Sequence, residues 1–387
     1  MVRRSISAAA TGRYDPRVLR RARVAGSSVL ICVAACGGAP AEVVSPPRAT
    51  TPVAPVKSAP TREPTAAELR PPSSETPTYA PAALMEHVRR LTSEKMSGRR
   101  SASAQEREAA AYVAQELSSA GVAALPGAIR QQTFALPKRT PTGDTESLNV
   151  FGFVRGASPA RSREVVVVGA HIDHVGVVQG KLHPGAEDNA SGVAVALEIA
   201  AALAARPTKL GRSVLFAFFG AEEIGLFGSR AFVKKPPVPL SDVVAMVNVD
   251  MIGRPLADRA GLALGKKAFG IDSDRSVGVM GTKGRPAMRK IVDDACAAVG
   301  VRAIAPEDFP KPIASFIEKQ AAERGDNWPF ERAGIPALFF SSGESDDYHQ
   351  PTDLPETLVP EIMADRAAII HRVIEALSTA ERSSLGR

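Results

Sequence analysis

Four short apolar runs along this chain each lead into residues that bind divalent metals. Unbroken apolar runs of this length are typical of strands buried on both faces of a parallel sheet. The four runs are Glu164 to Ala170, Ser213 to Phe219, Val243 to Val249 and Ile335 to Phe340. Two further strands are predicted at Ile129 to Leu136 and Leu148 to Val154. The sequence therefore predicts a sheet with a strongly apolar centre.

Segments with the apolar spacing of helices separate these strands. In the first, Ala109, Val113 and Leu117 fall on one helical face, and Gly121 ends the pattern. The predicted helices are Gln105 to Ala120, Ala190 to Ala205, Arg285 to Val299 and Pro360 to Leu377. The second is apolar nearly all round, so we expect it to be buried. Strands that alternate with helices indicate an α/β fold, a three-layer sandwich with a mostly parallel central sheet.

The first 81 residues differ in composition from the rest of the chain. They contain eleven Lys/Arg and five Asp/Glu, and the remainder contains 37 and 36, so nearly all of the net charge of +7 lies in this N-terminal part. The remainder is close to neutral and has no basic stripe with interleaved aromatic residues, so its charge gives no indication of nucleic-acid binding. Eleven of the 43 residues from Ala39 to Pro81 are proline, which predicts an extended tether over residues 37–81.

The beginning of the chain has the pattern of an export signal. Arg20-Arg21-Ala22-Arg23 precedes an apolar run, Val24 to Ala35, that is too short to span a bilayer. The run ends in Val33-Ala34-Ala35-Cys36-Gly37, which resembles the lipobox of bacterial lipoproteins, where the cysteine is lipidated after cleavage. We predict a signal at 1–36, a domain at 82–380 and a tail at 381–387. The protein would be exported, facing the periplasm or cell exterior, with its only membrane attachment at Cys36; a plain secretory signal is the alternative.

The chain has few cysteines, and two of them lie in the predicted signal. The chain has three cysteines, of which Cys32 lies inside the predicted signal and Cys36 at its end. That number excludes a disulfide framework and a cysteine-ligated metal site. Cys296, in a helical apolar pattern, is predicted to be a buried thiol.

The polar residues after the apolar runs are those that bind zinc and related ions. They are His171 and Asp173, Glu222 and Glu223, Asp250 and His349, with Asp188 supplied by a loop. The carboxyl ends of parallel strands meet at one edge of the sheet, where ligands bind in such folds. Imidazole and carboxylate groups at that edge would form a site for zinc or a similar ion.

Each of these motifs has a simpler interpretation when it is taken alone. The run Asp188-Asn189-Ala190-Ser191-Gly192 could cap a helix, and Glu222-Glu223 could lie in a solvated loop. Two adjacent carboxylates after so apolar a strand repel each other, however, unless a cation lies near. Asp250 at the end of a buried strand needs a partner or a metal. The remaining histidines are predicted to be structural or surface residues: His87, His174, His183 and His371.

Together the motifs resemble a known family, the cocatalytic di-zinc aminopeptidases. Its members include bacterial leucyl aminopeptidases, glutaminyl cyclases and the non-catalytic ectodomain of the transferrin receptor. The resemblance covers roughly Leu91 to Leu377. It is carried by Ala170-His171-x-Asp173-His174-x-Gly176, Pro184-Gly185-Ala186-x-Asp188-Asn189-Ala190-Ser191-Gly192, Phe219-Gly220-Ala221-Glu222-Glu223-x-Gly225, Asn248-x-Asp250-Met251-Ile252-Gly253 and Asp347-Tyr348-His349-x-Pro351-x-Asp353.

The resemblance implies a zinc exopeptidase-like fold and two zinc ions bridged by Asp188. His171 and Asp250 would complete one site, and Glu223 and His349 the other. Glu222 would be the general base, and Asp173 would orient His171. Two zinc ions lower the pKa of a shared water and polarise the scissile carbonyl, and a carboxylate beside that water can pass its proton to the leaving amine.

This chain departs from the family pattern at one point and leaves another open. Many relatives have Ser-Asp-His before a Pro-Phe pair, whereas this chain has Gly325-Asp326-Asn327-Trp328-Pro329-Phe330. This chain has Asn327 in place of that histidine, so no histidine can act there, and the roles of Asp326 and Asn327 are open. The oxyanion donor of the family is often a tyrosine, and Tyr348 is the candidate by its neighbourhood.

The leading hypothesis is a zinc aminopeptidase that acts on peptides with a free N-terminus. Cyclisation of N-terminal glutamine with one zinc is an alternative, which the intact bridging pattern makes less favoured. A catalytically inactive binding ectodomain would be expected to have lost ligands, and here all are present. A carboxypeptidase-like activity is a further alternative, and the sequence carries no signal for side-chain preference.

Overall fold

An eight-stranded sheet forms the centre of the fold in this computed structural model, which describes residues 77–137, 145–256, 266, 269–321 and 323–386. The predicted signal, its Cys36 and the predicted tether up to residue 76 lie outside these ranges. The strands are β1 Gln131–Ala135, β2 Glu146–Val154, β3 Val165–His171, β4 Gly176–Val178, β5 Lys181–His183, β6 Ser213–Phe219, β7 Val243–Val249, β8 Ser276–Met280, β9 Arg302–Ile304 and β10 Ala337–Ser341. The order in the large sheet is β1-β2-β6-β3-β7-β10-β8-β9, and β4 and β5 form a separate hairpin.

The four central strands, β6, β3, β7 and β10, run parallel to one another. Strands β3, β6 and β7 are buried at every position, which confirms the prediction of strands covered on both faces. Antiparallel pairs join β2 to β6 and β8 to β10, so the sheet is mixed at its flanks. The register aligns His171 with Phe219 and Val249 with Phe340. The parallel strands therefore end at the same edge of the sheet.

Helices cover both faces of this sheet, which confirms the predicted three-layer arrangement. The helices are α1 Pro81–Leu91, α2 Ala104–Ser119, α3 Gly192–Ala205, α4 Phe227–Lys234, α5 Pro286–Ala297, α6 Lys311–Ala321, α7 Asn327–Arg332 and α8 Pro360–Thr379. One apolar core lies between the sheet and α1, α2, α3, α5 and α8. A second, in which Phe219 of β6 contacts Phe232 of α4 and Phe330 of α7, lies on the opposite face.

Helix α3 is the apolar helix that was predicted to be buried. With the turn before it, Ala186–Ala205 is the one helical span of the described residues that has the length and hydropathy to cross a membrane, and 72% of it is buried. It packs against β3 on one side and against α1 and α8 on the other. Its apolar surface is therefore accounted for by the protein core.

The first described residues are fixed to the last helix. Tyr79 is buried, and its hydroxyl donates to Nδ1 of His371 on α8. Burial, reinforced by the charges of Arg206 and Arg372, lowers the pKa of His371 to about 4. The imidazole is therefore neutral at physiological pH and can accept the hydrogen bond from Tyr79.

We expect His371 to make the fold sensitive to acid. Because its pKa in the folded state is about 4, against about 6.5 for an exposed histidine, the unfolded chain takes up a proton first as the pH falls through 6.5. Stability is therefore lost between pH 6.5 and 4, by up to about 3 kcal/mol. The stability advantage of wild type over His371→Gln should shrink by about 2 kcal/mol from pH 7.5 to pH 5, as measured by urea unfolding of the metal-free proteins. An advantage that does not change with pH would contradict this.

Candidate active site

The ends of β3 and β7 bring together the first group of predicted metal ligands. His171, the last residue of β3, places Nε2 3.2 Å from Oδ1 of Asp250, which follows β7. The same nitrogen lies 3.2 Å from Oδ1 of Asp188. All three side chains are buried. One imidazole nitrogen and two carboxylate oxygens thus converge at this edge of the sheet.

A second group forms on the other oxygen of Asp188. Nε2 of His349 lies 3.1 Å from Asp188 Oδ2 and 3.0 Å from Oε2 of Glu223. The two groups therefore share Asp188, which presents one carboxylate oxygen to each. All five residues predicted as metal ligands lie in this double cluster: His171, Asp188, Glu223, Asp250 and His349.

The spacing and direction of these atoms fit a metal ion. Two atoms that bind one tetrahedral zinc at about 2.1 Å lie about 3.4 Å apart, close to the 3.0–3.2 Å between the atoms of these groups. Nε2 of His349 is buried and near two carboxylates, yet its geometry forms no hydrogen bond to a described residue. Short separations without hydrogen bonds are typical of ligand atoms that point at a metal ion lying between them.

Charges within the cluster shift one another's ionisation strongly. Burial acts to raise the pKa of Glu223, but His174 and His349 outweigh it and hold that pKa at about 2. Burial acts to lower the pKa of His349, but Asp188 and Glu223 raise it to about 10. Burial raises the pKa of Asp250, and the charge of His171 opposes it. Positive charge nearby is therefore needed to stabilise the buried carboxylates in their ionised form, and protonated imidazoles or metal ions can supply it.

The loop that carries Asp188 is fixed by its backbone. Gly185 has a positive φ of 67°, and a Cβ there would lie 2.3 Å from the carbonyl oxygen of Asp188. Arg99 is buried and donates to four carbonyl groups, at 2.7–3.0 Å, including those of Pro184 and Gly185. The peptide bond between Asp188 and Asn189 is cis. The conformation of this loop requires glycine and a buried guanidinium.

Asn189 connects the bridging residue to the end of β7. Its Nδ2 donates to the carbonyl of Val249 at 3.0 Å, and its Oδ1 accepts from the N–H groups of Gly192 and Met251 at 3.0 and 3.2 Å. Asp188 itself caps no helix, because its carboxylate faces the two imidazoles. The capping role considered for this motif thus belongs to Asn189, which also holds the residues that flank Asp250.

Three segments of the site contain residues in the left-handed region, where side chains other than glycine are strained. They are Ala221 before the Glu222-Glu223 pair, Met251 after Asp250, and His349 itself, with φ values of 53°, 56° and 56°. Such conformations cost about 1 kcal/mol or more and persist where the surroundings enforce them. The surrounding fold therefore constrains the backbone where these polar side chains emerge.

The structure shows further contacts for Asp173, which was predicted to orient His171. Nδ1 of His171 donates to the backbone carbonyl of Asp173 at 3.1 Å, and the carboxylate lies 3.9 Å from that nitrogen. The Asp173 carboxylate also accepts the N–H groups of Glu222 and Glu223 at 3.0 and 3.3 Å, and the hydroxyl of Ser101. Asp173 therefore positions the glutamate pair directly, and it orients His171 through its main chain.

Glu222 lies beside the first group. Burial, opposed by the charge of His171 and reinforced by Glu223, raises the pKa of Glu222 well above its ordinary value. The carboxylate of its neighbour Glu223 faces His349, and Oε2 of Glu223 lies 3.0 Å from Nε2 of His349. The two adjacent glutamates thus occupy different environments, as expected for one ligand and one proton acceptor.

His174 was missed by sequence reasoning, which assigned it to structural or surface positions. It is fully buried, its Nδ1 donates to Oε1 of Glu223 at 2.8 Å, and the same nitrogen lies 3.6 Å from Asp188 Oδ2. Its ring packs edge-on against that of His349. Each oxygen of Glu223 therefore faces its own imidazole. The spacing of three residues after His171, at the end of a buried strand, is the signal that points to His174.

Asp326 and Tyr348 also lie at the site. Asp326 is buried, and burial, opposed by the charge of His171, raises its pKa to about 7. Asn327 starts helix α7, and its Oδ1 makes no hydrogen bond to a described residue. The ring of Tyr348 stacks on that of His349 with centroids 3.9 Å apart. The segment that lacks the family's usual histidine therefore still brings a carboxyl close to the first group.

The chain is similar to known aminopeptidases in sequence and in fold. The probable lipoprotein aminopeptidase LpqL of Mycobacterium tuberculosis is 38% identical over 115 residues, 30% of this chain and 22% of that protein. An aminopeptidase of Pseudomonas aeruginosa is 35% identical over 185 residues, 47% of this chain and 31% of that protein. The match thus spans less than a third of the length of these two relatives.

A solved structure shares the fold. The zinc aminopeptidase BSAP from Bacillus subtilis superposes with a TM-score of 0.60 and 17% sequence identity, over 80% of this chain and 98% of that one. The sequence profile of Peptidase family M28 matches residues 149–374, a range that contains every residue of the double cluster. Because this range is more than half of the chain, the protein belongs to Peptidase family M28.

Proposed function

We propose that this protein is a zinc aminopeptidase that binds two metal ions and uses Glu222 as its general base. The observation that carries the proposal is the position of Asp188, whose two oxygens lie 3.2 and 3.1 Å from imidazole nitrogens of different ligand groups. Membership of family M28 and the names of the relatives support the reaction class.

Each ion would have three protein ligands. His171, Asp250 and one oxygen of Asp188 would hold the first, and Glu223, His349 and the other oxygen of Asp188 the second. When bound, two zinc ions polarise the scissile carbonyl and lower the pKa of water. Three protein ligands for each ion leave a position open for substrate, as catalytic sites require.

Glu222 would move the proton of the reaction. Burial raises its pKa and so makes its carboxylate a stronger base, which can accept a proton from water and release it to the leaving amine. Asp173 fixes its backbone by accepting its N–H at 3.0 Å. The base is thus held beside the ligand group without occupying a ligand position.

The ionic surroundings of the cluster favour a substrate with a free amine. Asp326 and Glu222 offer acidic groups close to His171. The neighbouring buried arginines are already paired, Arg99 with carbonyl groups and Arg254 with carboxylates. A carboxypeptidase needs a cation for the substrate's terminal carboxylate, whereas an ammonium group complements these acids.

We expect Glu222→Gln to abolish turnover and to retain the metal. Glutamine keeps the size of the side chain but accepts no proton from water, so kcat should fall at least about 100-fold. Metal analysis of the purified variant should still find two zinc ions per chain. Glu86→Gln, on the exposed surface of α1, is the matched control and should retain full activity. A Glu222→Gln protein with activity near wild type would refute the assignment of the base.

Hydrolysis should depend on a free N-terminus. A panel of aminoacyl anilides should be cleaved, and the N-acetylated forms of the same substrates should not, because acetylation removes the charge that the acidic groups attract. Glutaminyl peptides, followed by mass spectrometry, should lose their first residue rather than lose ammonia. Cyclised product, or cleavage of acetylated peptides from the carboxyl end, would replace the proposal with one of the two alternatives. A zinc-loaded protein that turns over none of these substrates would support the inactive ectodomain.

We also infer that the protein is exported as a lipoprotein anchored at Cys36. The lipobox-like sequence before Cys36 supports this, and a relative is named as a probable lipoprotein. In a bacterial host, the mature protein should begin at Cys36 and carry the mass of attached acyl chains. Cys36→Ser should abolish lipid attachment, and Cys32→Ser, inside the signal, should not. An unmodified N-terminus at a later residue would indicate a plain secretory signal instead.

A further inference from the structure

Arg254 links the end of β7 to the segment that carries His349. It lies four residues after Asp250 and is only 8% exposed. Its guanidinium contacts four side chains of the segment 345–357, namely Asp347 Oδ2 at 2.6 Å, Ser345 Oγ at 3.3 Å, Asp353 Oδ1 at 3.1 Å and the hydroxyl of Thr357. A planar guanidinium can hold several acceptors in fixed directions at once. Arg254 thus fixes the segment on both sides of His349.

Asp353 extends this link to the bridging residue. Its carboxylate accepts the N–H of Glu187 at 2.9 Å through Oδ1 and the N–H of Asp188 at 3.1 Å through Oδ2. The same Oδ1 accepts from Arg254. One carboxylate therefore joins the guanidinium to the backbone of Asp188, and the segments that supply Asp250, Asp188 and His349 meet in a single network of charged hydrogen bonds.

His349 is the ligand that most needs such support. Its backbone is in the left-handed region, with φ of 56°. Its side chain is 32% exposed, whereas the side chains of Asp188 and Glu223 are 5% and 7% exposed. His171 and Asp250, by contrast, lie at the ends of buried strands. A strained and partly exposed residue outside a strand is held by its neighbours, and two of those neighbours are Asp347 and Asp353.

We propose that Arg254 is a positioning residue that maintains the second metal site through Asp347 and Asp353. Without it, the segment around His349 relaxes and the second site loses affinity. The first site is retained, because strands hold His171 and Asp250, and Asp353 still accepts the N–H of Asp188. This inference rests on the two-metal centre of the proposed function, and metal binding tests it independently of turnover.

The experiment is a zinc titration of metal-free protein against a chromophoric chelator. Wild type should take up two equivalents. Arg254→Gln should bind the first equivalent as wild type does and the second about 10–100-fold more weakly, the range seen when partners of metal ligands are removed. His349→Ala, which removes the ligand itself, gives the reference for loss of the second site. Equal affinities of wild type and Arg254→Gln for both equivalents would overturn the positioning role.

Arg212→Gln is the matched control. Arg212 is as buried as Arg254 and pairs with Glu164, but it precedes β6 at the end of the strand away from the metal ligands. Both variants lose a buried ion pair and should lower the free energy of unfolding. Only Arg254→Gln should weaken the second zinc. Equal weakening in both variants, or loss of both equivalents in Arg254→Gln, would assign the effect to general destabilisation and overturn the inference.

A double-mutant cycle with Asp347→Asn tests the route of the effect. If Arg254 acts through Asp347, the double variant should bind the second zinc no more weakly than the more affected of the two single variants. Additive losses would contradict that route. Wild-type protein that binds fewer than two zinc ions would instead overturn the two-metal proposal, and this inference with it. The two failures are therefore distinguishable within one titration series.

Discussion

The burial of several carboxylates at one edge of the sheet is the constraint on which the rest of this structure depends. Asp188 has an oxygen within 4.8 Å of a Glu223 oxygen in one group and of an Asp250 oxygen in the other, where like charges repel and water is largely excluded. Imidazoles between them offset part of this repulsion. Positive charge is needed to make the arrangement stable, which is why the cluster fits metal ions so well.

The fold meets this constraint with buried side chains that hold the backbone of the segments carrying the cluster. Arg99 holds the carbonyl groups of the Pro184-Gly185 turn, and Asn189 holds the main chain on both sides of Asp250. Asp173 and Asp353 accept backbone N–H groups from the segments that carry the ligands. Burial raises the pKa of both carboxyl groups, and the backbone hydrogen bonds that they accept oppose this rise by favouring the charged form.

Two classes of candidate ligand result from this construction. His171 and Asp250 follow directly from buried parallel strands, so their positions are set by the sheet register. His349 is carried by an irregular segment, which Arg254 contacts through ion pairs with Asp347 and Asp353. The two groups thus differ in construction, since strand ends carry His171 and Asp250 and an irregular segment carries His349.

The sequence by itself determined the central strands and the polar residues that follow them, because both are local features, and the motifs that resemble the aminopeptidase family added Asp188 and the division into two ligand groups. It left His174 among the structural or surface histidines, since the spacing after His171 marks the residue but does not show that its partner is Glu223. It placed the carboxylate of Asp173 near His171, where it lies 3.9 Å from Nδ1, but it gave no sign that this carboxylate also accepts the N–H groups of Glu222 and Glu223. Only the tertiary structure decided these contacts, because Glu222, Glu223 and Asp173 meet through the pairing of β3 with β6. Arg254 and Asp353 are about 100 residues apart in the chain, and only folding makes them partners.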